Sequence, residues 1–171
     1  MVGGAPVYVM QWDAYGGAHA TITIDQNAID RAGQAGNYRF VHKHPMNGWP
    51  ISDEMRNVYL IAGAAAVYVA TPKVVAGITP SRVAWNDINR NHNTAPYDNV
   101  LYRPLSPTYV RGVQSGEVYQ VVNAVPHFLP SWSYVGGAKE YVNIDQVAID
   151  RAGTTGMYLH LLPVGAPVPA P

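Results

Sequence analysis

The sequence predicts a mainly β fold, sandwich or barrel-like, with one or two short helices. Three observations predict it: short apolar segments that alternate with period two, proline and glycine punctuation throughout, and one unit that occurs twice. Gly16, Gly17 and Ala18 align without a gap on Gly136, Gly137 and Ala138, and the match continues through Ile24-Asp25-Gln26 on Ile144-Asp145-Gln146. From 16 to 38, 14 of 23 positions are identical to their partners from 136 to 158, where chance gives one or two. The duplicated strand, short helix and strand unit spans 7–43 and 127–163.

Within each copy the local structure is readable. Residues 21–24 and 141–144 alternate as a half-buried strand does, with Ile22 and Ile24 inward. Asp25 and Asp145 stand at an N-cap, and Ala28, Ile29, Arg31 and Ala32 suit one or two helical turns. Gly33 and Gly153 fit the position just past a helix end. The paired acids Asp25/Asp30 and Asp145/Asp150 admit an oxygen site for a hard cation such as Ca²⁺, or simple capping with a surface ion pair to Arg31 or Arg151.

Further strands are predicted at 7–12, 37–42, 67–71, 100–103 and 117–125, between prolines at 45, 50, 72, 80, 96, 104, 107, 126 and 130. A helix is predicted over 53–65, with Ser52 as N-cap and Asp53-Glu54 in its first turn. Residues 59–70 form the longest apolar run, too short to span a bilayer, and read as a buried helix running into a strand. Residues 85–99 read as a long polar loop. The predicted organisation is one β-rich domain over 1–164 and an extended Pro/Ala tail over 165–171, free of a signal peptide or transmembrane segment.

Composition limits the function. The chain has 171 residues, with 11 Lys+Arg against 11 Asp+Glu, so only 13% are charged and the net charge is zero. That balance lacks the basic footprint of a nucleic-acid binder or a protein held to anionic lipid. No cysteine is present, which removes disulfides, thiolate metal sites and cysteine nucleophiles. With 12 Tyr and 4 Trp against 2 Phe, most rings carry a polar handle. Few charges leave strand edges unguarded, and Tyr and Trp over Lys and Glu is interface composition. The leading expectation is a non-enzymatic structural subunit of a homomeric assembly. A virion shell or decoration protein, or an extracellular filament, would fit it. Copies of itself would be the partners, no cofactor is expected, and Tyr8, Trp12, Trp49, Tyr102, Tyr109, Trp132 and Val164 are the expected contacts.

One stretch has the form of a catalytic signature. His42-Lys43-His44-Pro45, followed by Ser52, resembles the first half of the JAB/MPN metalloprotease-like motif, and the likeness covers 37–72. Alternate strand positions project to one face, so His42 and His44 could share a metal. The resemblance implies a metal-dependent hydrolase with zinc held by His42, His44 and an acid. The acid that the motif places three residues past the serine is Met55 here, which leaves Asp53 or Glu54 as substitutes out of register, Asp53 being taken as the third ligand, and no glutamate precedes the histidine pair. A Pro-Met-Asn-Gly turn closing a strand explains the same residues structurally. A second, slighter resemblance is to ADP-ribosyltransferase toxins, which implies paired roles for Arg103 and Glu140. His92, in a run of asparagines, has no second histidine or acid at a partner spacing.

Overall fold

The computed structural model describes residues 1–89 and 94–170. In chain order, a 3₁₀ turn at Trp12–Tyr15 leads to helix α1 (Gln26–Asp30) and a 3₁₀ turn at Gly36–Tyr38. Strands β1 (Pro50–Ser52), β2 (Val58–Ala62) and β3 (Ala65–Tyr68) follow, then a 3₁₀ turn at Pro72–Val75, β4 (Ser81–Arg82) and α2 (Trp85–Ile88). The last third holds β5 (Thr108–Gly112), β6 (Val118–Val122), β7 (Val125–Phe128), a 3₁₀ turn at Trp132–Val135, β8 (Val142–Ile144), α3 (Gln146–Asp150) and a 3₁₀ turn at Gly156–Tyr158. The fold is β-rich with short helices, in two four-stranded sheets ordered β3-β2-β1-β4 and β7-β6-β5-β8.

The two sheets are the same unit. Each is an antiparallel three-strand meander whose first strand also pairs in parallel with a fourth, β1 with β4 and β5 with β8. Strands β2 and β6 begin sixty residues apart, as do β3 and β7 and the 3₁₀ turns after them. A further sixty residues back, the turn at Trp12–Tyr15 falls in phase, and the isolated bridge Val2↔Ala5 repeats the pairs Ala62↔Ala65 and Val122↔Val125. The chain therefore carries three units, and the duplication visible in the sequence joins the first to the third.

Two-residue turns close these hairpins. Gly63 and Ala64 have φ of 56° and 69°, Asn123 and Ala124 51° and 65°, and Gly3 and Gly4 51° and 82°. Two successive positive φ values are what a type I′ turn needs, and its twist matches that of the flanking strands. Each unit then sends its last segment back to its own turn: His42 N donates to Gly4 O at 2.9 Å, Leu101 N to Ala64 O at 2.9 Å, and Leu162 N to Ala124 O at 2.8 Å.

Packing runs from unit to unit. Ile51, Tyr59, Ile61, Val83 and Ile88 form the core of the second unit, and Val2 and Val7 of the first unit pack against it. Val110, Tyr119, Val121, Val142, Ile144 and Ile149 form the core of the third, against Ala62 and Val67 of the second. Strands β2 and β3 are thus covered on both faces, which is why 58–69 is nearly unbroken in apolar residues.

That double burial overturns the helix expected over 53–65, since a continuous apolar run does not by itself distinguish a strand buried on two sides from a buried helix. The expected strand at 117–125 is two, β6 and β7, split at Asn123-Ala124, and that at 67–71 ends at Tyr68. No strand forms over 7–12, 37–42 or 100–103: the first runs into the 3₁₀ turn at Trp12–Tyr15, the second holds Gly36–Tyr38, and Leu101 makes only a bridge to Ala65. The polar stretch at 85–99 opens with α2, and His92 lies outside the described residues. Residues 165–168 lie along β7, with Gly165 N donating to Pro126 O at 3.0 Å and Val168 N to Phe128 O at 2.9 Å.

Candidate functional site

The buried polar groups are bonded within the fold, apart from His160 Nε2, which has no hydrogen-bond partner among the described residues. Asp53 accepts from Asn57 N at 2.8 Å, Asn57 Nδ2 at 2.7 Å and the Tyr59 hydroxyl at 3.3 Å, which fixes the β1–β2 turn. Burial, with the Asp53 charge and hydrogen bond behind it, drives the Tyr59 pKa far above the ordinary phenol value. Tyr15, bonded to Asp87 at 3.0 Å, is raised for the same first reason, burial, and then by the Asp87 charge. His160 is buried, with Nδ1 2.8 Å from Tyr102 O, and desolvation lowers its pKa against that hydrogen bond.

The sequence-predicted metal ligands are each engaged elsewhere. His44 Nδ1 lies 2.9 Å from Asn99 O. Lys43 between the histidines pairs with Asp98, and Asn99 Nδ2 donates to Lys43 O at 2.8 Å, so this segment is clasped to 98–99. The His42 ring lies against Gly4. Among the described residues no group of three or more His, Asp or Glu side chains is placed to hold a metal ion, and His42, His44 and Asp53 are not brought into one. Asp25 caps Asn27 N at 3.0 Å, while Asp30 and Asp150 accept from Gln26 and Gln146, both at 2.8 Å. Arg103 and Glu140 are exposed on separate segments, Arg103 with its guanidinium 5.9 Å from the Tyr102 ring.

Of the expected contact residues, Tyr109 and Trp132 come together at 5.6 Å, and Tyr141 extends the group at 6.1 Å from Trp132. Trp49 Nε1 donates to Ser81 Oγ at 3.0 Å, Tyr8 meets Tyr97 edge-on at 5.2 Å, and Trp12 meets His19 at 6.2 Å. Tyr102 packs on buried His160 at 5.0 Å, and Val164 is exposed.

The feature that sequence reasoning missed is the open side of the first unit. In the third unit Val142, Ile144, Ala148 and Ile149 are buried beneath β5 and β6. Their counterparts are Ile22, Ile24, Ala28 and Ile29, apolar at every position, yet Ile22 is 87% exposed and Ile24 46%. Residues 21–24 belong to no sheet. Between α1 and residues 6–9, which stand where β7 stands, a cavity of about 590 Å³ is lined by Tyr8, Ile29, Asp30, Lys43, Pro96 and Asp98 among others. Its signal in the sequence was the sixty-residue phase: Val7-Tyr8-Val9 recurs as Val67-Tyr68-Val69, and Val58-Tyr59 as Val118-Tyr119.

The fold is a β-rich array of repeated units, two of which form four-stranded sheets. The chain matches no family model, no curated protein and no solved structure. Among the described residues, no helix is long and apolar enough to cross a membrane.

Proposed function

We propose that the chain is a non-enzymatic structural subunit of a homomeric assembly, of the kind that builds a virion shell or decoration layer or an extracellular filament. The observation that carries this reading is the uncovered apolar side of the first unit. Inside the chain each unit's core is closed by the unit before it: Val2 and Val7 close the second, and Ala62 and Val67 close the third. In the first unit Ile22 and Ile24 of the same apolar set are exposed and Ala28 and Ile29 half-buried, and the equivalent closing positions of the third, Val122 and His127, are half-exposed at the other end. One end of a copy therefore suits the other end of the next, a heterologous contact that propagates as a ring or filament. Low charge supports it, since repulsion between copies is weak.

Light scattering of the native protein across a concentration and salt series tests the reading. A particle of many copies that persists in high salt is expected, because apolar contacts are not screened as ion pairs are. A mass of 18.5 kDa at every concentration overturns it.

A further inference from the structure

We propose that His160 is an acid-operated latch at the joint between the second and third units, closed while its ring is neutral and weakened when the ring takes a second proton. The inference does not depend on self-assembly. The latch sits on a strap, residues 157–162, that lies between the two units without belonging to a sheet. Met157 packs on the core of the second unit, and the Tyr158 ring meets Tyr68 edge-on at 5.4 Å. Leu161 is buried in the core of the third, and Leu162 N donates to Ala124 O at 2.8 Å. His160, between these anchors, is 1% exposed.

The hydrogen bond fixes the tautomer. Nδ1 lies 2.8 Å from Tyr102 O, and a carbonyl oxygen only accepts, so Nδ1 carries the proton and donates. Nε2 is then an acceptor, and among the described residues it has no hydrogen-bond partner. A proton added there makes a donor without an acceptor and places a full charge in a site almost sealed from water, and both effects oppose the closed state. The Tyr59 ring faces His160 at 6.2 Å, but its hydroxyl is turned to Asp53, whose carboxylate already accepts from Asn57. On the other side the Tyr102 ring stands at 5.0 Å, followed by Arg103, whose guanidinium lies 5.9 Å from that ring. On the strap itself the Tyr158 ring has the Arg151 guanidinium at 4.7 Å. The charged groups on these elements are thus two cations and a carboxylate bonded elsewhere, and burial itself opposes the charged imidazole.

The joint between the first and second units is built the same way with a side chain that cannot titrate. There Tyr97 meets Tyr8 edge-on at 5.2 Å, as Tyr158 meets Tyr68, and Leu101 N donates to Ala64 O, as Leu162 N does to Ala124 O. Two residues after each of those tyrosines comes the bond across the joint: Asn99 Nδ2 donates to Lys43 O at 2.8 Å where His160 Nδ1 donates to Tyr102 O. The two acceptors are also equivalent, since Lys43 and Tyr102 directly follow His42 and Leu101, whose amides close the turns of their own units. A neutral amide therefore satisfies this position, and the imidazole of the second joint adds a response to acid in the range where histidine titrates.

Hydrogen exchange of the full-length protein, read over residues 159–163 at pH 7.5 and 5.5, tests the latch. Opening the strap returns His160 to water, where it titrates at about pH 6.5, so protection of this segment, corrected for the intrinsic exchange rate, is expected to fall about tenfold between the two pH values. The segment is expected to exchange ahead of β6 at both, because the strap opens without the sheet. His160→Asn, the side chain of the first joint, keeps an N–H donor and is expected to remove the pH dependence while the segment stays protected at pH 7.5. His160→Gln serves the same comparison as a second variant. No extra exchange of the wild-type segment at pH 5.5, an equal fall in the variants, or exchange of the segment only together with β6 would each overturn the proposal.

Discussion

Gln114 reaches from the turn after β5 to hold Gln146, accepting the amide proton that opens α3 at 2.8 Å. Glu54, sixty residues earlier, holds Trp85 at the start of α2 in the same way, at 2.6 Å. Each helix is thereby tied to the first strand of its own unit. The first helix amides of a short helix have no internal acceptor, and Gln114 also donates through Nε2 to the buried Asp145 carboxylate at 2.8 Å. Glu54→Ala is expected to cost about 1–2 kcal/mol and Gln114→Ala about 2–3 kcal/mol, since it also removes a bond from a buried carboxylate. Chemical denaturation of both variants measures the difference.

Asp145 joins the second unit to the third. Its carboxylate accepts Thr71 N at 2.6 Å, Thr71 Oγ1 at 3.2 Å, Gln114 Nε2 at 2.8 Å and Val147 N at 3.2 Å, and the residue is fully buried. Asp25, its counterpart, is exposed and bonds only within its own cap. Asp145→Ala strands several buried donors and is expected to cost about 3 kcal/mol, against about 1 kcal/mol for Asp25→Ala. Equal costs in denaturant would contradict the assignment of Asp145 as a joint between units.

Stability is expected to fall on mild acidification because of buried His160. Its folded pKa lies below the unfolded value, so over the pH range between the two the unfolded chain binds a proton that the native one refuses. Stability is therefore full above about pH 6.5 and declines as pH drops below it. His160→Phe is expected to flatten the dependence between pH 7.5 and 5.5, whatever it does to the absolute value. An unchanged slope would place the effect elsewhere.

At the alkaline end the phenols act. Tyr59 and Tyr15 have folded pKa values raised above the unfolded value of 10, so they stay neutral in the native state while the unfolded chain ionises. Stability is present below that value and is lost as pH rises past it. Ultraviolet titration is expected to show these two rings ionising only together with unfolding, and Tyr59→Phe to remove part of the late step.

Gly153 and Gly156 separate backbone freedom from space. Both have positive φ, 73° and 53°, but a Cβ on Gly153 would meet Pro163 Cδ at 2.3 Å and Pro163 N at 2.8 Å, while Gly156 faces open space. Gly156→Ala is expected to cost about 1 kcal/mol from conformation alone, and Gly153→Ala clearly more. Thermal melts of the two variants rank them.

The duplicated unit was legible because 16–38 and 136–158 share side chains, and the N-caps Asp25 and Asp145 follow from residue type. The sixty-residue period was not, because its middle copy diverged where the others agree: Ala84 stands at the N-cap in place of aspartate, and Ser81-Arg82 in place of Val142-Asn143. Strand β2 and the start of β3 read as helix because burial on both faces erases alternation, while the strand expected at 67–71 overlaps the end of β3. Strand 21–24 has the right pattern and still forms no strand, since pairing is a property of the partner as well as of the sequence. His42 and His44 have metal spacing, but the pull of Asn99 and Gly4 on the segment lies in tertiary contacts that no local motif records.

The contrast between buried Asp145 and exposed Asp25 also sets an order of unfolding. Contacts in this chain run between neighbouring units, so it behaves as a short one-dimensional array in which each unit melts against the next. The third unit is pinned to the second through a carboxylate at the N-cap of α3, whereas the first is tied to the second through Tyr15 on Asp87 and Lys43 on Asp98, leaving α1 capped only within its own turn. Amides of β6 are therefore expected to exchange last and those of α1 first, so the protein is expected to loosen from the end that carries α1.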